Sequence, residues 1–260
     1  MSVTAIIVLI AAGILVGFIN TLSGGGSVIS LSLLILLGLP ASIANGTNRI
    51  SIFFQTFSSV SSFTRQKMFT SMKPIWLGIP ATAGSVMGAL TAVDMNEKII
   101  EIAMCAAMVL MIFFLFYKPG KWLKENARLL NEPLKWWHFL IFFIVGFYGG
   151  FIQVGVGYFL LMALVLGVGY DLVKANAVKN LIVFLYAIFA LAVFIINGQV
   201  NYLYGIILSI GSIIGALIAS YFAVKKGAGF IRAVIILSVI LTILQVSGLV
   251  NFTELFRKLL

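Results

Sequence analysis

The stretch Gly17-Phe18-Ile19-Asn20-Thr21-Leu22-Ser23-Gly24-Gly25-Gly26-Ser27 interrupts an otherwise continuous apolar run, and its reading decides the fold. Upstream, residues 3 to 22 supply about twenty apolar positions, enough to cross a hydrocarbon core of ~30 Å. Downstream, residues 27 to 38 stay apolar for only about twelve positions, too few to cross it. Backbone broken inside a bilayer leaves amides unpaired and is tolerated only where protein or a water-lined cavity surrounds it. The long run, the glycine break and the short run therefore predict a hairpin that turns at depth and leaves by the side it entered, with its tip beside a cavity.

The same pattern returns 131 positions later. Gly24-Gly25-Gly26 matches Gly155-Val156-Gly157, Gly38 matches Gly169, and Ala44-Asn45-Gly46-Thr47-Asn48-Arg49 matches Ala175-Asn176-Ala177-Val178-Lys179-Asn180. A second block follows at a separation of 127, pairing Gly84-Ser85 and Gly88-Ala89-Leu90 with Gly211-Ser212 and Gly215-Ala216-Leu217. Apolar composition alone does not place Asn, Lys or Arg and several glycines in register, so the pattern indicates a duplication. Long segments are expected at 3 to 22, 45 to 64, 74 to 93, 98 to 117, 137 to 153, 175 to 196, 201 to 223 and 229 to 249, with short ones at 27 to 38 and 158 to 169.

Composition supports a membrane setting. Of 260 residues, 62% are hydrophobic and 9% charged, with a mean hydropathy of +1.17, whereas soluble domains carry roughly 25% charged residues. A soluble domain is excluded. The net charge of +10 does not point to nucleic acid, because in a membrane protein Lys and Arg mark the loops that stay inside. Loops at 65 to 73, 118 to 135, 171 to 179 and 225 to 232 hold every basic residue except Arg49, Lys98, Arg257 and Lys258. Placing those loops in the cytoplasm makes the span at 45 to 64 run inward and its counterpart at 175 to 196 run outward.

The expected fold is thus an all-α polytopic membrane protein, an inverted repeat of two halves. Each half is a re-entrant or broken helical hairpin followed by three transmembrane helices. The first repeat covers 1 to 117, a basic cytoplasmic loop 118 to 136, and the second repeat 137 to 260. Both termini face outside. The N-terminus lacks a basic region and a cleavage pattern and is expected to be retained.

In transporters with inverted repeats, broken helices meet near the midplane and their N-terminal amides face anionic groups. Ser27 is the natural cap of the first half-helix, with Gly24, Gly25 and Gly26 allowing close backbone approach; Gly155, Gly157 and Tyr158 hold the matching place, beside Gln153. Close helix packing is the competing reading of glycine in membranes, and it is preferred for Gly13, Gly17, Gly84, Gly88, Gly211 and Gly215. If Ser42 caps the next span, Arg49 lies roughly 10 Å deep at 1.5 Å per residue; Lys179 is similarly placed after Asp171. Asn45, Asn48, Asn176 and Asn180 sit one turn from these cations, and Ser51, Gln55, Ser59 and Ser62 extend a polar stripe. A charge at depth is a functional candidate, although snorkelling to the interface would also accommodate such long side chains.

The seven acids Asp94, Glu97, Glu101, Glu125, Glu132, Asp171 and Glu254 all fall in loops or first turns. A membrane without a buried carboxylate suits neither a cation carrier nor an Asp/Glu proton relay. The single His138 and single Cys105 form no pair for metal or nucleophilic chemistry. No catalysis, no cofactor and no metal site is expected. The partners are a small anionic substrate and the lipid bilayer, with a carrier as the first reading, an anion channel using the same tips as the second, and a non-transporting membrane enzyme as a distant third.

The run Gly17 to Ser27, then Leu37-Gly38-Leu39-Pro40 and Ala44 to Arg49, resembles the first-half motif of the sulfite exporter (TauE/SafE) family, also called the toluene sulfonate uptake permeases. Gly149-Gly150-Phe151 to Gly157, with Asn176 to Asn180, resembles its second half, with Lys179-Asn180 reversing the Asn48-Arg49 order. The resemblance runs over essentially the whole chain. It implies an inner (plasma) membrane exporter of sulfite, sulfonates or related small organosulfur anions.

Overall fold

The computed structural model describes residues 2–100, 102, 103, 106 and 126–246. The expected span at 98 to 117 beyond its first residues, the basic stretch 118 to 125, the end of the last span and the basic pair Arg257 and Lys258 lie outside the described residues. Within them every regular element is helical. In chain order these are α1 (Val3–Leu22), α2 (Ser27–Leu36), α3 (Ala41–Arg65), α4 (Lys73–Val93), the short α5 (Ala127–Asn131), α6 (Trp136–Phe151), α7 (Val156–Met162), α8 (Leu172–Ile196) and α9 (Tyr202–Val246). A π-helical turn, Ala163–Val168, extends α7. Gly227, at φ 72° and ψ −166°, breaks α9 where the sequence predicts a gap between two spans.

The starts of these helices follow from their sequences. Ser2 caps α1, its hydroxyl accepting from the Ala5 amide at 3.1 Å. Asp171 caps α8 as expected, accepting from Val173 and Lys174. Two expected caps are corrected. Ser27 is the first residue of α2, not its cap, and the Asn20 side chain accepts from the Ser27 amide at 3.2 Å. Helix α3 starts at Ala41 after Pro40, which can precede a helix but supplies no side-chain acceptor; Ser42 therefore lies in its first turn and donates its amide and its hydroxyl to the Glu97 carboxylate.

Among the described residues, α1, α4, α8 and the Tyr202–Ser238 part of α9 are long and apolar enough to cross a membrane. Helix α3 is not, although its 25 residues would span the core at 1.5 Å each. Its Asn45, Thr47, Asn48, Arg49, Ser51, Gln55 and Ser59 are all buried, so its polar face meets protein instead of lipid, and hydropathy that tracks lipid exposure undercounts it. The outward surface is the reverse. Ile7, Leu15, Met87, Ile144, Ile210 and Leu217 are exposed, as a lipid-facing shell requires.

Two glycine seams hold the bundle. Helix α1 packs along α9, and α4 along α6. A Cβ at Gly13 or Gly17 would strike the backbone of Leu208 or Ser212, and one at Gly211 or Gly215 the backbone of α1. Gly84 and Gly88 meet the α6 backbone in the same way, while Gly146 and Gly150 meet Ala81 and Ser85. Gly13, Gly17, Gly84, Gly88, Gly211 and Gly215 are packing residues, as the sequence suggested, and Gly146 and Gly150 join them; without a hydrophobic drive between helices, close backbone approach is what associates them. Helix α3 lies against α9 and α8, and α8 against α4.

Candidate functional site

The two glycine breaks meet. A Cβ on Gly24 would land on the Gly157 backbone, and one on Gly157 would land on Gly24 and lie 2.9 Å from the Ser23 carbonyl oxygen. Gly24 (φ 89°) and Gly155 (φ 71°) are left-handed, the conformation glycine adopts without a Cβ penalty. Gly25 lies against the Tyr158 ring and hydroxyl, and Gly26 against the Val16 carbonyl and the Asn20 side chain.

Beside this crossing is a cavity of about 20 Å³, walled by Gly24, Ser27 and Asn20 on one side, Gln153 and Gly157 on the other, and Ile52, Gln55, Thr56, Lys179, Asn180 and Val183 from α3 and α8. It has room for about one water, so anything larger requires the walls to part. Asn20 organises one wall, its amide donating to Ser27 Oγ at 3.2 Å and to Gln55 Oε1 at 3.3 Å. Gln153 donates to the Tyr186 hydroxyl at 3.0 Å. The Tyr158 hydroxyl does not line the cavity; it lies 2.7 Å from Ser238 Oγ, which in turn donates to Ser23 Oγ.

The two buried cations act at helix ends. Lys179 Nζ, on α8, donates to the carbonyls of Asn20 at 2.9 Å and Thr21 at 2.7 Å, in the last turn of α1. Arg49, on α3, donates to the carbonyls of Gly149 at 3.1 Å, Gly150 at 2.5 Å and Phe151 at 3.4 Å, the last turn of α6, with its guanidinium 4.5 Å from the Phe194 ring centre. The last four carbonyls of a helix have no intrahelical partner and carry the negative end of its dipole, so a cation is the group that suits them. Both side chains are 1% exposed; neither snorkels. The asparagines reinforce the exchange: Asn45 donates to the Phe151 carbonyl, Asn176 to that of Leu22 and Asn180 to that of Thr21. Asn48 Oδ1 accepts from Ser30 Oγ at 2.7 Å.

Of the residues singled out in the sequence, Gly24, Ser27, Gln153, Gly157, Lys179 and Asn180 line one cavity. Gly25, Gly26, Gly155 and Tyr158 shape the tips around it, while Asn45, Arg49 and Asn176 hold helix-end carbonyls and Asn48 accepts from Ser30 in α2. Asn20, Ile52, Thr56 and Val183 were not among the residues singled out, and Gln55 was noted only in the stripe. For Asn20 the signal was present, a lone amide in an otherwise apolar span just before the break.

The family model for the sulfite exporter TauE/SafE matches residues 9–246. The chain is 26% identical over 230 residues to the probable membrane transporter protein ORF9 of Sinorhizobium sp, covering 88% of this chain and 87% of that one. It is 29% identical over 236 residues to the probable membrane transporter protein YfcA of Escherichia coli, covering 88% and 85%. A probable membrane transporter protein of Haemophilus influenzae is 26% identical over 231 residues, covering 88% and 89%. No solved structure matches the chain. Apolar helices, a polar interior and a match along most of the chain agree: this protein belongs to the sulfite exporter TauE/SafE family of membrane transporters.

Proposed function

We propose that this transporter exports a small oxyanion, sulfite or a related organosulfur anion, across the inner membrane through the cavity where the two hairpin tips cross. The observation that carries this reading is that cavity. Its wall holds a buried ammonium, Lys179, together with amides and hydroxyls, and no carboxylate. The starts of α2 and α7 open onto it, and helix starts favour negative charge. The Gly24, Ser27, Gln153, Gly157, Lys179 and Asn180 groups are the proposed binding set, joined by Asn20 and Gln55.

The halves are read as inverted repeats with both termini outside. Support comes from the reciprocal seams, α1 on α9 and α6 on α4, and from the exchanged caps, in which Lys179 of the second half holds α1 of the first while Arg49 of the first holds α6 of the second. A cavity with room for only about one water favours a carrier that alternates between sides over a continuously open pore. The test is a thermal-shift screen of purified protein against sulfite, sulfonates, thiosulfate and sulfate, followed by flux in proteoliposomes. Saturable flux of a stabilising anion is expected. Single-channel currents would replace the carrier with a channel, and indifference to every anion would remove the anion reading.

A further inference from the structure

We propose that the cavity selects singly charged oxyanions and rejects doubly charged ones, with Lys179 as the residue that sets this preference; the inference rests on the oxyanion-carrier reading above. Lys179 is the single charged side chain lining the cavity among the described residues. Its ammonium has three donors, and two are engaged by the Asn20 and Thr21 carbonyls, which leaves the third for a ligand. Arg49 offers no donor to a ligand there, because it does not line the cavity and its guanidinium points at the carbonyls of Gly149, Gly150 and Phe151.

The remaining lining is neutral. Asn20, Ser27, Gln55, Gln153 and Asn180 offer hydrogen bonds but no charge. A helix start contributes at most about half a positive charge, and here both contributions are reduced. The Ser27 amide is already held by Asn20 Oδ1, and α7 runs only seven residues before its π-helical turn. The carbonyls at the end of α1 subtract from the ammonium they hold. The direct surplus is close to one positive charge, in a narrow site lined by buried residues. A monoanion neutralises it. A dianion would leave one negative charge uncompensated in a low-dielectric interior, which is strongly unfavourable. If the cargo is sulfite, its singly protonated form is therefore what crosses.

Methanesulfonate and sulfate are suitable probes, since both are tetrahedral, neither changes its charge around neutral pH, and they differ by one charge. Binding to the purified full chain is measured by calorimetry at one pH and ionic strength. Sulfate is expected to bind at least about tenfold more weakly than methanesulfonate, a conservative reading of what an unpaired buried charge costs. In Lys179→Gln the preference should collapse, and Lys179→Arg should restore it; melting curves establish that each variant is folded. If Lys179→Gln does not fold, the Lys179→Arg comparison and Gln55→Lys decide, because a second cation in the same wall should shift preference toward sulfate. Sulfate binding as tightly as methanesulfonate in the wild type would overturn the inference while leaving the carrier reading standing. A preference that survives in Lys179→Gln, or is untouched by Gln55→Lys, would overturn the role given to Lys179. Failure of folded wild-type protein to bind either anion, or any other in the screen, would instead remove the oxyanion reading and this inference with it.

Discussion

Replacing Arg49 by Gln tests whether this cation of α3 holds the end of α6. Arg49 makes two close hydrogen bonds, to Gly150 at 2.5 Å and Gly149 at 3.1 Å, a longer one to Phe151 at 3.4 Å, and a ring contact with Phe194 at 4.5 Å. Hydrogen bonds to a charged group contribute about 1.5–3 kcal/mol each, and a partly desolvated ring contact about 0.5–2 kcal/mol. Against this stands the desolvation of the guanidinium, several kcal/mol, which the substitution relieves. Glutamine retains two N–H donors on a shorter arm, so at least one carbonyl of α6 is left unpaired, at about 1–3 kcal/mol. The net loss is about 2–4 kcal/mol. For a chain of this size each kcal/mol moves the midpoint by roughly 2–4 °C, so thermal unfolding in detergent should fall by roughly 5–15 °C. Arg49→Lys keeps the charge but reaches fewer carbonyls, and should lose about half as much. Melting of Arg49→Gln within about 2 °C of wild type would refute the account, because the carbonyls of Gly149 to Phe151 would then be satisfied without the cation.

Gly157→Ala places a Cβ on Gly24; overpacking of about 1–3 kcal/mol should cut flux by roughly tenfold while insertion and yield persist, and wild-type flux would show that the crossing only packs. Gly24→Ala should be the more damaging of the two, since its φ of 89° adds about 1–2 kcal/mol of backbone strain, as ranked by unfolding midpoint and flux together. Gly88→Leu drives a side chain into Phe147 and Phe151 of α6 and should abolish the folded peak on size exclusion, whereas Met87→Leu, on the exposed side, should not. Flux in proteoliposomes should follow potential and substrate gradient, at about 2.3 kcal/mol per charge per 100 mV. With the substrate's protonation state and the potential held fixed, uphill accumulation under a pH or sodium gradient alone would require a coupling site.

The class of this protein is written in local features. A run of about twenty apolar residues is long enough to cross a bilayer and a glycine run breaks a helix, so helix positions, the breaks between them and the family follow from the residues themselves. The short apolar helices at Ser27–Leu36 and Val156–Val168 and the packing glycines were legible for that reason. The sequence also indicated that Arg49, Lys179 and their asparagines mattered, because charge at depth is costly anywhere. It did not indicate what they touch. Arg49 meets a carbonyl 100 positions away and Lys179 one 159 positions away, contacts that local pattern does not encode. Only the packed bundle decides that both cations close a helix end and that Lys179 also lines the cavity. The same holds for Asn20 and Gln55, which line one cavity with Gln153 because α1, α3 and the second tip converge. Composition and spacing set what each segment can be; which buried polar group answers which is settled by the three-dimensional requirement that no helix end or charge in hydrocarbon go without a partner.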